Sequence, residues 1–471
     1  MASGPSGRQP LAATPSTTPG PTDLVNLGVA KGGTSQQLPY LVADSQLPYA
    51  KSKSCPQVDP GVHDAQGVRM FNVGSTMYNH PVGQAQTGIN CVGAYLATHD
   101  PASLSRAEAN AQRLIDRRVE SRGAWFYPYP FDFAIHGDTS VLMKAPWYSA
   151  MAQGQALSLF VMLWKVTGDQ QWRTAADNTV KSLALGPSGT LPFVSYIDAN
   201  SYLWLEEYAR LPIAKSEQVF NGLNFAIFGL YDYWRTTGST DYVPLMNAAL
   251  ATSDHYAATF FRRAQWVSKY SVYHAWDSYD YHPTHRTQML QLHGYTHRPA
   301  FATYADELAD DYPSDATAGW VIFSPGVQWA YRFDGSGAIT ASLKVTLPSS
   351  SMAPFDSRKR IQGRGVYTHI TAGRFAGWWV AEVADHAHPT APSGSNVYSV
   401  ERGLGIAAGT YTGRAYDSTG KQIGTKTGTL PRASYAPIGV RAIINARPCV
   451  LVSAGVWKGY WLTLVPAMTL K

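Results

Sequence analysis

The spacing of apolar residues predicts that most of the chain before Pro313 is helical. From Pro81 onward, apolar side chains recur every three or four positions, which is the period of an amphipathic helix. Cap and turn residues mark several helix starts, among them SLSRAE from Ser103, TGD before Gln170 and TGST before Asp241. The pattern predicts eight helices in pairs, at about residues 82–98, 103–119, 149–166, 170–185, 217–236, 239–261, 283–294 and 299–310.

Four consecutive helical pairs predict an α/α toroid, an incomplete barrel of hairpins in which one helix of each pair lines the centre. The helices that begin near His80, Trp147, Ser216 and Tyr281 start with polar and aromatic residues, as inner helices would. Segments such as AEANAQRLIDRR and QWRTAADNTVKSL are ordinary amphipathic outer helices. Aromatic-rich loops between the pairs, such as WFYPYPFDF at residues 125–133, predict a cleft at one end.

After Pro313 the helical period is replaced by the alternation that is typical of strands, as in VIFSPGVQWAYRF and AITASLKVTL. This region also repeats: AGRFAGWWV resembles AGVWKGYWL, and YRFDGSGAIT resembles RAYDSTGKQI. The glycines of the two matches, Gly373 with Gly455 and Gly337 with Gly420, are offset by 82 and 83 residues. Two copies of one unit therefore predict an all-β domain. The repeated aromatic residues are either a sugar platform or the core between sheets.

The opening residues 1–23 are rich in Pro, Ser, Thr and Gly and cannot bury enough apolar surface to fold, so we expect them to be disordered. The segment that follows is interrupted by Pro and Gly, and we expect an irregular wrap over the next domain. The predicted domains are residues 1–64, 65–313 and 314–471. Such an opening is typical of a mature exported enzyme, so we expect a secreted, extracellular protein; a cytosolic protein with a loose tail is the alternative.

The composition excludes several classes of protein. Hydrophobic residues at 45% and charged residues at 15% are typical of a globular protein, with 14 Trp, 28 Tyr and 16 Phe as the unusual feature. The net charge of +6 permits an acidic partner, but no run of Lys and Arg predicts nucleic-acid binding, and no apolar run predicts a membrane span. Three widely spaced cysteines allow at most one disulfide, and no glycine-rich phosphate motif or zinc motif predicts a cofactor.

Candidate chemistry is concentrated in residues 204–233 and in a histidine-rich segment further on. Glu206, Glu207 and Tyr208 are followed by an apolar helix with Asn221 near its start. The second segment contains His274, His282 and His285. His282 and His285 have the spacing of two metal ligands, but no carboxylate partner accompanies them. We therefore expect hydrogen-bonding histidines and no metal.

Four motifs in this region resemble a known family. APWYSAMAQGQALSL, LEEYARLP, VFNGLNFAIFGLYDY and YDYHPTH, in this order, are similar to the catalytic C-terminal domain of the D-glucuronyl C5-epimerases, which act on heparan-type polysaccharides. The resemblance covers about residues 70–312. It implies the helical toroid and an anionic, uronic-acid-containing polysaccharide or oligosaccharide as the partner.

The resemblance also implies site residues, although the sequence departs from the family in two ways. Tyr273 stands where the family has an arginine, and the β-repeats follow the helical domain instead of preceding it. By motif, the catalytic residues are Tyr208, Tyr281, Tyr270 and Glu207. The expected substrate-binding residues are His274, His282, His285, Trp147, Tyr148, Gln153, Gln155, Asn221 and Glu206.

Three functions are consistent with these residues. The first is C5 epimerisation of a uronate, in which a proton is removed next to a carboxylate and returned to the opposite face. The second is a polysaccharide lyase, which begins with the same proton removal and then expels the 4-O substituent. The third is a glycan-binding protein that has lost its chemistry.

Overall fold

The computed structural model describes residues 23–48, 54–56, 60–314, 316–361, 364–384, 386–390, 396–417 and 421–471. The segment predicted to be disordered, residues 1–23, lies almost entirely outside this range. Residues 23–48 contain one short 3-10 turn, Asp44–Gln46, and otherwise follow an irregular path. They lie against helices: the amide of Val42 donates to the Tyr231 hydroxyl oxygen at 3.1 Å, and the Asn247 side chain donates to the carbonyls of Ser35 and Gln37.

The chain forms two compact units. The first contains the described residues up to Phe261 together with Tyr270–Trp276 and Gly294–Thr296, and the second contains Arg262–Lys269, Asp277–His293 and His297–Lys471. Most of the last helical pair therefore belongs to the same compact unit as the strands.

Eight α-helices confirm the predicted helical region among the described residues. Helix α2 begins two residues earlier than expected, because Asp100, not Ser103, is the N-cap and accepts from the amide of Ala102. The cap predicted before Gln170 is Asp169, which accepts from the amide of Gln171. The helices are α1 Pro81–Thr98, α2 Pro101–Arg117, α3 Ala150–Thr167, α4 Gln170–Ser182, α5 Phe220–Thr237, α6 Val243–Tyr256, α7 His282–Thr296 and α8 Pro299–Asp311.

In the first unit the helices have the two-layer arrangement expected of an α/α toroid. Helix α3 packs against both α1 and α5, while α2, α4 and α6 each pack against the helix that precedes them. Helices α3 and α5 approach closely because Gly154 faces Ala226 and Gly229; a methyl group at position 154 would lie 2.5 Å from the Ala226 Cα. Most residues of α3 and α5 are buried, as inner helices require.

Four short hairpins precede the inner helices of this unit. Each hairpin stands in the chain shortly before α1, α3 or α5. The hairpins therefore lie at the end where the inner helices begin. The disulfide Cys55–Cys91 ties residues 54–56 to α1, and Cys449 is a buried free thiol. The hairpin strands are β1 Met70–Val73, β2 Thr76–Asn79, β3 Val119–Ser121, β4 Ala124–Phe126, β5 Phe133–Ala134, β6 Leu142–Met143, β7 Ser195–Ile197 and β8 Leu203–Leu205.

The strands of the second unit form two seven-stranded antiparallel sheets. The orders are β11-β10-β14-β13-β12-β9-β15 and β18-β17-β21-β20-β19-β16-β22, so each strand has its counterpart seven strands later. The strands are β9 Gly319–Phe323, β10 Gly326–Phe333, β11 Ile339–Leu347, β12 Ser351–Ile361, β13 Gly365–Ile370, β14 Trp378–Ala381, β15 Ala387–Thr390, β16 Asn396–Ile406, β17 Gly409–Tyr416, β18 Gln422–Leu430, β19 Ser434–Ile444, β20 Arg447–Val452, β21 Trp461–Thr463 and β22 Met468–Leu470.

The two sheets confirm the internal repeat. Each has its own apolar core, with Phe375 in the first and Trp457, 82 residues later, at the same place in the second. Gly377 and Gly459 share a left-handed backbone, with φ of 78° and 80°. Gly420, which the sequence match used, lies outside the described residues. No helix among the described residues is both long and apolar enough to span a bilayer.

Candidate active site

Glu207 lies two residues after β8, and its carboxyl group is buried at the start of α5. The Tyr270 hydroxyl donates to Glu207 Oε1 at 3.3 Å. The other oxygen rests on Gly222 in the first turn of α5, where a Cβ atom would lie only 2.4 Å from it. Gly222 therefore makes the space that the carboxyl group occupies.

The environment of Glu207 keeps a proton on it. Burial raises the pKa of the Glu207 carboxyl to about 8, the charges of Glu206 and Glu217 act in the same direction, and hydrogen bonds with Tyr208 and Tyr270 oppose the shift. At neutral pH this group is a neutral acid. A neutral carboxylic acid can donate a hydrogen bond or a proton, which an ionised one cannot.

Glu206, the adjacent carboxylate, has a different role. Its Oε1 accepts from the amide of Tyr208 at 3.1 Å, and its Oε2 accepts from the Ser216 hydroxyl at 3.0 Å and from the amide of Gln218 at 2.8 Å. Both oxygens are thus used to close the loop that presents Glu207. We assign Glu206 to loop geometry and leave it out of the proposed substrate-binding set.

The segment Tyr270–Trp276 is held beside the start of α5 by backbone hydrogen bonds. The Tyr270 carbonyl accepts from the amide of Phe220 at 3.1 Å, and the Tyr270 amide donates to the carbonyl of Trp276 at 2.8 Å. Within this loop, His274 Nδ1 lies 2.8 Å from both oxygens of the buried Glu217. The loop therefore presents a tyrosine and a histidine, each in contact with a different buried carboxyl group.

Glu217 is the centre of a second cluster of polar side chains. The Ser271 hydroxyl donates to its Oε1 at 2.5 Å, and His136 Nε2 lies 3.6 Å from the same oxygen. Burial alone raises the pKa of the Glu217 carboxyl, but the hydrogen bonds from His136, Ser271 and His274 hold it below its usual value. Glu217 is therefore ionised at neutral pH, in contrast to Glu207.

The ligand atoms of His136, Glu217 and His274 lie within 4.8 Å of one another, so these three residues could hold a metal ion. Imidazole and carboxylate are ligands that zinc accepts. The Ser271 hydroxyl and His274 Nδ1 already give the Glu217 carboxylate hydrogen-bond partners in the absence of a metal ion.

Aromatic rings form a continuous wall next to Tyr208. The half-buried Tyr208 ring lies 5.9 Å from the ring of Phe133 and 5.8 Å from that of Trp147. Trp147 stacks on Tyr129 at 3.7 Å, and its indole donates to the carbonyl of Phe131 at 2.9 Å. Tyr129, Phe131 and Trp147 are buried in one apolar core cluster, so only the half-buried rings of Tyr208 and Phe133 leave an apolar surface for a sugar.

Four further predicted residues lie near the starts of α3 and α5. Tyr148 is half-buried, and burial raises the pKa of its hydroxyl to about 12. Gln155 and Asn221 are buried within the first two turns of their helices. Gln153 is fully buried and fully used: it accepts from the amide of Tyr127 and donates to the Trp125 carbonyl and the Ser182 hydroxyl. We therefore leave Gln153 out of the proposed site.

Tyr281, His282 and His285 belong to the second unit. Tyr281 precedes α7 and is 40% exposed. His282 Nδ1 accepts from the amide of Ser268, and its Nε2 donates to the carbonyl of Leu308, so both ring nitrogens have protein partners. Burial lowers the pKa of His285 to about 3, and its Nδ1 contacts the Ser268 hydroxyl at 2.8 Å. These two histidines thus remain neutral and serve the packing of α7.

Sequence reasoning missed His136, Glu217, Ser271 and Arg210. The pattern of residues 217–236 predicts that Glu217 belongs to a helix, but helix α5 begins at Phe220. Arg210 follows the EEY motif by two residues, and its guanidinium lies 5.4 Å from the centre of the Tyr273 ring. An arginine is thus present beside Tyr273, the position where the family motif has one. A search for cations next to that motif could have found Arg210.

Comparison with known proteins relates this region to carbohydrate epimerases. Residues 119–309 match the family described as D-glucuronyl C5-epimerase C-terminus. A D-glucuronyl C5-epimerase from Caenorhabditis elegans is 27% identical over 116 residues, a stretch that covers 25% of this chain and 17% of the relative. The match therefore spans less than a fifth of that relative's length.

Two solved structures have detectable but low similarity. A cellobiose 2-epimerase from Bacillus thermoamylovorans is 13% identical, with a TM-score of 0.38, over 57% of this chain and 68% of that one. A family 76 α-mannanase from Bacteroides thetaiotaomicron is 14% identical, with a TM-score of 0.32, over 49% and 57% of the two chains. At these scores neither bears on the chemistry of the site. The resemblance found in the sequence is nevertheless confirmed by the family match, which relates residues 119–309 to the C-terminal region of the D-glucuronyl C5-epimerases.

Proposed function

We propose that this protein is a uronyl C5-epimerase that acts on a uronic-acid-containing polysaccharide. The observation that carries the proposal is the buried Glu207 carboxyl group, protonated at neutral pH, in contact with the Tyr270 hydroxyl and adjacent in sequence to Tyr208. The family match of residues 119–309 supports the same reaction class.

The reaction needs a group that neutralises the substrate carboxylate. C5 of a uronate lies next to that carboxylate, so removal of the C5 proton creates an enediolate whose charge must be stabilised by hydrogen-bond donors. In our proposal the neutral Glu207 donates to one substrate carboxylate oxygen. Arg210, placed over Tyr273, supplies a positive charge for the same carboxylate. Positive charge and a neutral acid together allow the carboxylate to accept electron density from C5.

Inversion also needs a base on one face of the sugar ring and an acid on the other. Tyrosine hydroxyls can fill both roles, since their pKa near 10 lets them donate a proton or, beside a positive group, accept one. We assign Tyr208 and Tyr270 to proton transfer and His274, oriented by Glu217, to binding of the sugar. Tyr281, which the family motif also suggests, belongs to the second unit and is tested separately.

The experiment is incubation of the full chain with heparosan in deuterated water, followed by NMR and by absorbance at the unsaturated-uronate band. Deuterium at C5, with inverted configuration and intact chain length, is expected. A new double bond with shortened chains would instead identify a lyase. Binding of heparosan with neither change would identify a glycan-binding protein and refute the proposed reaction on this polymer.

Single substitutions to phenylalanine test the tyrosine assignments. Removal of a hydroxyl that transfers a proton costs about 10²- to 10⁴-fold in turnover, whereas affinity stays within several-fold because the ring remains. We expect this result for Tyr208→Phe and Tyr270→Phe; the same loss in Tyr281→Phe would assign one of the two proton transfers to Tyr281 instead. Tyr242→Phe, at the start of α6, is the control and should retain full activity. Near-normal turnover in all three variants would contradict the tyrosine mechanism.

We further propose that the protein works outside the cytoplasm. The disulfide Cys55–Cys91 supports this, because disulfides persist in oxidising compartments. Fractionation of the native cells should recover the protein outside the cytoplasm with this disulfide formed; a reduced, cytoplasmic protein would contradict the proposal.

A further inference from the structure

The solvent-facing side of the first seven-stranded sheet carries a row of aromatic rings. Along β10, Trp329, Tyr331 and Phe333 alternate with the buried Ala330, so the three rings share one face. Trp379 of β14 lies opposite Tyr331 in the register and extends the row to the next strand. Trp329 is 44% exposed. These four rings, together with Lys344 and Lys359, are called the aromatic face below.

Lysine ammonium groups lie over these rings. Lys344 of β11 is paired in register with Trp329, and its Nζ is 5.6 Å from the ring centre. Lys359 of β12 places its Nζ 4.2 Å from the Trp379 ring centre and 4.9 Å from that of Phe333. Positive charge and apolar rings are therefore interleaved on the aromatic face.

The second sheet shows that the fold does not require this arrangement. In the equivalent strands the pair Trp329 and Lys344 is replaced, 83 residues later, by Thr412 and Thr427. The two threonine hydroxyls contact each other at 2.9 Å. Since the same strand order forms with threonines at these positions, the tryptophan and lysine are not needed for architecture.

We propose that the aromatic face binds an anionic polysaccharide. Aromatic rings contact the apolar faces of sugar rings, and ammonium groups between them bind the carboxylates of successive residues. A neutral polymer would gain nothing from the lysines, and a small anion would not need the rings. The proposal deepens the proposed function, on which the choice of a uronate polymer rests.

A cleft in the same unit has a volume of about 580 Å³ and is lined by Arg358 and Arg360 of β12 together with Tyr279 and Pro283. Arg358 and Arg360 alternate with Lys359 along β12, so they lie on the opposite side of the sheet from the aromatic face. The proposed binding surface is therefore the aromatic face without this cleft.

The test compares two matched double variants of the full chain. The first is Trp329→Ala with Lys344→Ala, and the control is Thr412→Ala with Thr427→Ala at the equivalent positions of the second sheet. Affinity electrophoresis is run in gels containing heparosan, hyaluronan, alginate, polygalacturonate or neutral dextran. We expect the first variant to lose about tenfold in affinity for the acidic polymer that retards the native protein. The control should bind normally, and added salt should weaken native binding.

Three outcomes would overturn the proposal: equal retardation of the first variant and the native protein, equal retardation by dextran, or no retardation by any of the four acidic polymers. Thermal unfolding of both variants checks that they remain folded. Turnover of a short oligosaccharide is measured in parallel. If the first variant loses polymer binding but the native protein shows no C5 exchange, only the proposed reaction is refuted. If the native protein exchanges C5 hydrogen but the first variant binds the polymer normally, only the proposed role of the aromatic face is refuted.

Discussion

The protonation of Glu207 leads to a specific pH dependence of the reaction. With a pKa of about 8, the group is about 90% protonated at pH 7 and about 10% protonated at pH 9. If the protonated form binds the substrate carboxylate, the rate of C5 exchange at low substrate concentration should fall about tenfold between these pH values. Activity is present below the pKa and lost as the pH rises through it.

Glu207→Gln separates this effect from the titration of other groups. Glutamine has nearly the same shape and keeps a hydrogen-bond donor, but it does not titrate. We expect the variant to lose the decrease in rate near pH 8. Its rate at pH 7 should be within about tenfold of the native rate if Glu207 only donates a hydrogen bond, and about 10²- to 10⁴-fold lower if Glu207 transfers a proton.

The assay is deuterium incorporation at C5 of heparosan, followed by NMR from pH 6 to 9.5. Glu120→Gln, at a partly exposed position of β3 where the side chain pairs with Arg118, is the control and should keep the native profile. A Glu207→Gln variant that keeps the decrease near pH 8 would assign the titration to another group and refute the reasoning. Stability gives a second measurement. Folding raises the Glu207 pKa above its unfolded value. The free energy of unfolding of the native protein should therefore fall, relative to that of Glu207→Gln, as the pH rises from about 4.5 to about 8.

Three further predictions concern stability and metal binding. Gly154→Ala places a methyl group 2.5 Å from the Ala226 Cα and should lower the free energy of unfolding by about 1–3 kcal/mol. The control is Gly294→Ala, whose nearest neighbour would lie 3.6 Å from the added methyl group, and it should be neutral. Equal effects of the two substitutions would contradict the close contact between α3 and α5. Dialysis against EDTA should leave activity unchanged because Glu217 is already hydrogen-bonded; loss that a divalent cation restores would assign it as a ligand. Cys55→Ser opens a disulfide between residues 36 apart and should cost roughly 4 kcal/mol in guanidinium unfolding; an unchanged midpoint would contradict this.

The periodic parts of the fold were predictable from the sequence. Helix burial repeats every three to four residues and strand burial every two, so the helices and the repeated β-units are visible in the local pattern. The sequence pattern does not predict strands β12 and β19, although each is 11 residues long. Each contains a proline, Pro354 or Pro437, which weakens a strand assignment in the sequence but is accommodated in both sheets.

The motifs also pointed to Glu207, Tyr208 and Tyr270, whose roles remain proposals. What the sequence could not give was the difference between Glu206 and Glu207. They are neighbours of the same chemical type, yet one is held by three hydrogen-bond donors within its own loop and the other by burial against Gly222.

Only the tertiary structure decided which distant residues meet. Glu217 contacts His274, 57 residues later, and lies near His136 from a loop before α3. No local period records such a contact, because it depends on how α3, α5 and their preceding loops pack. The pKa of Glu207 has the same origin: it is set by the water that packing excludes and by the charges that packing brings near, and neither is a property of the residue's neighbours in the sequence.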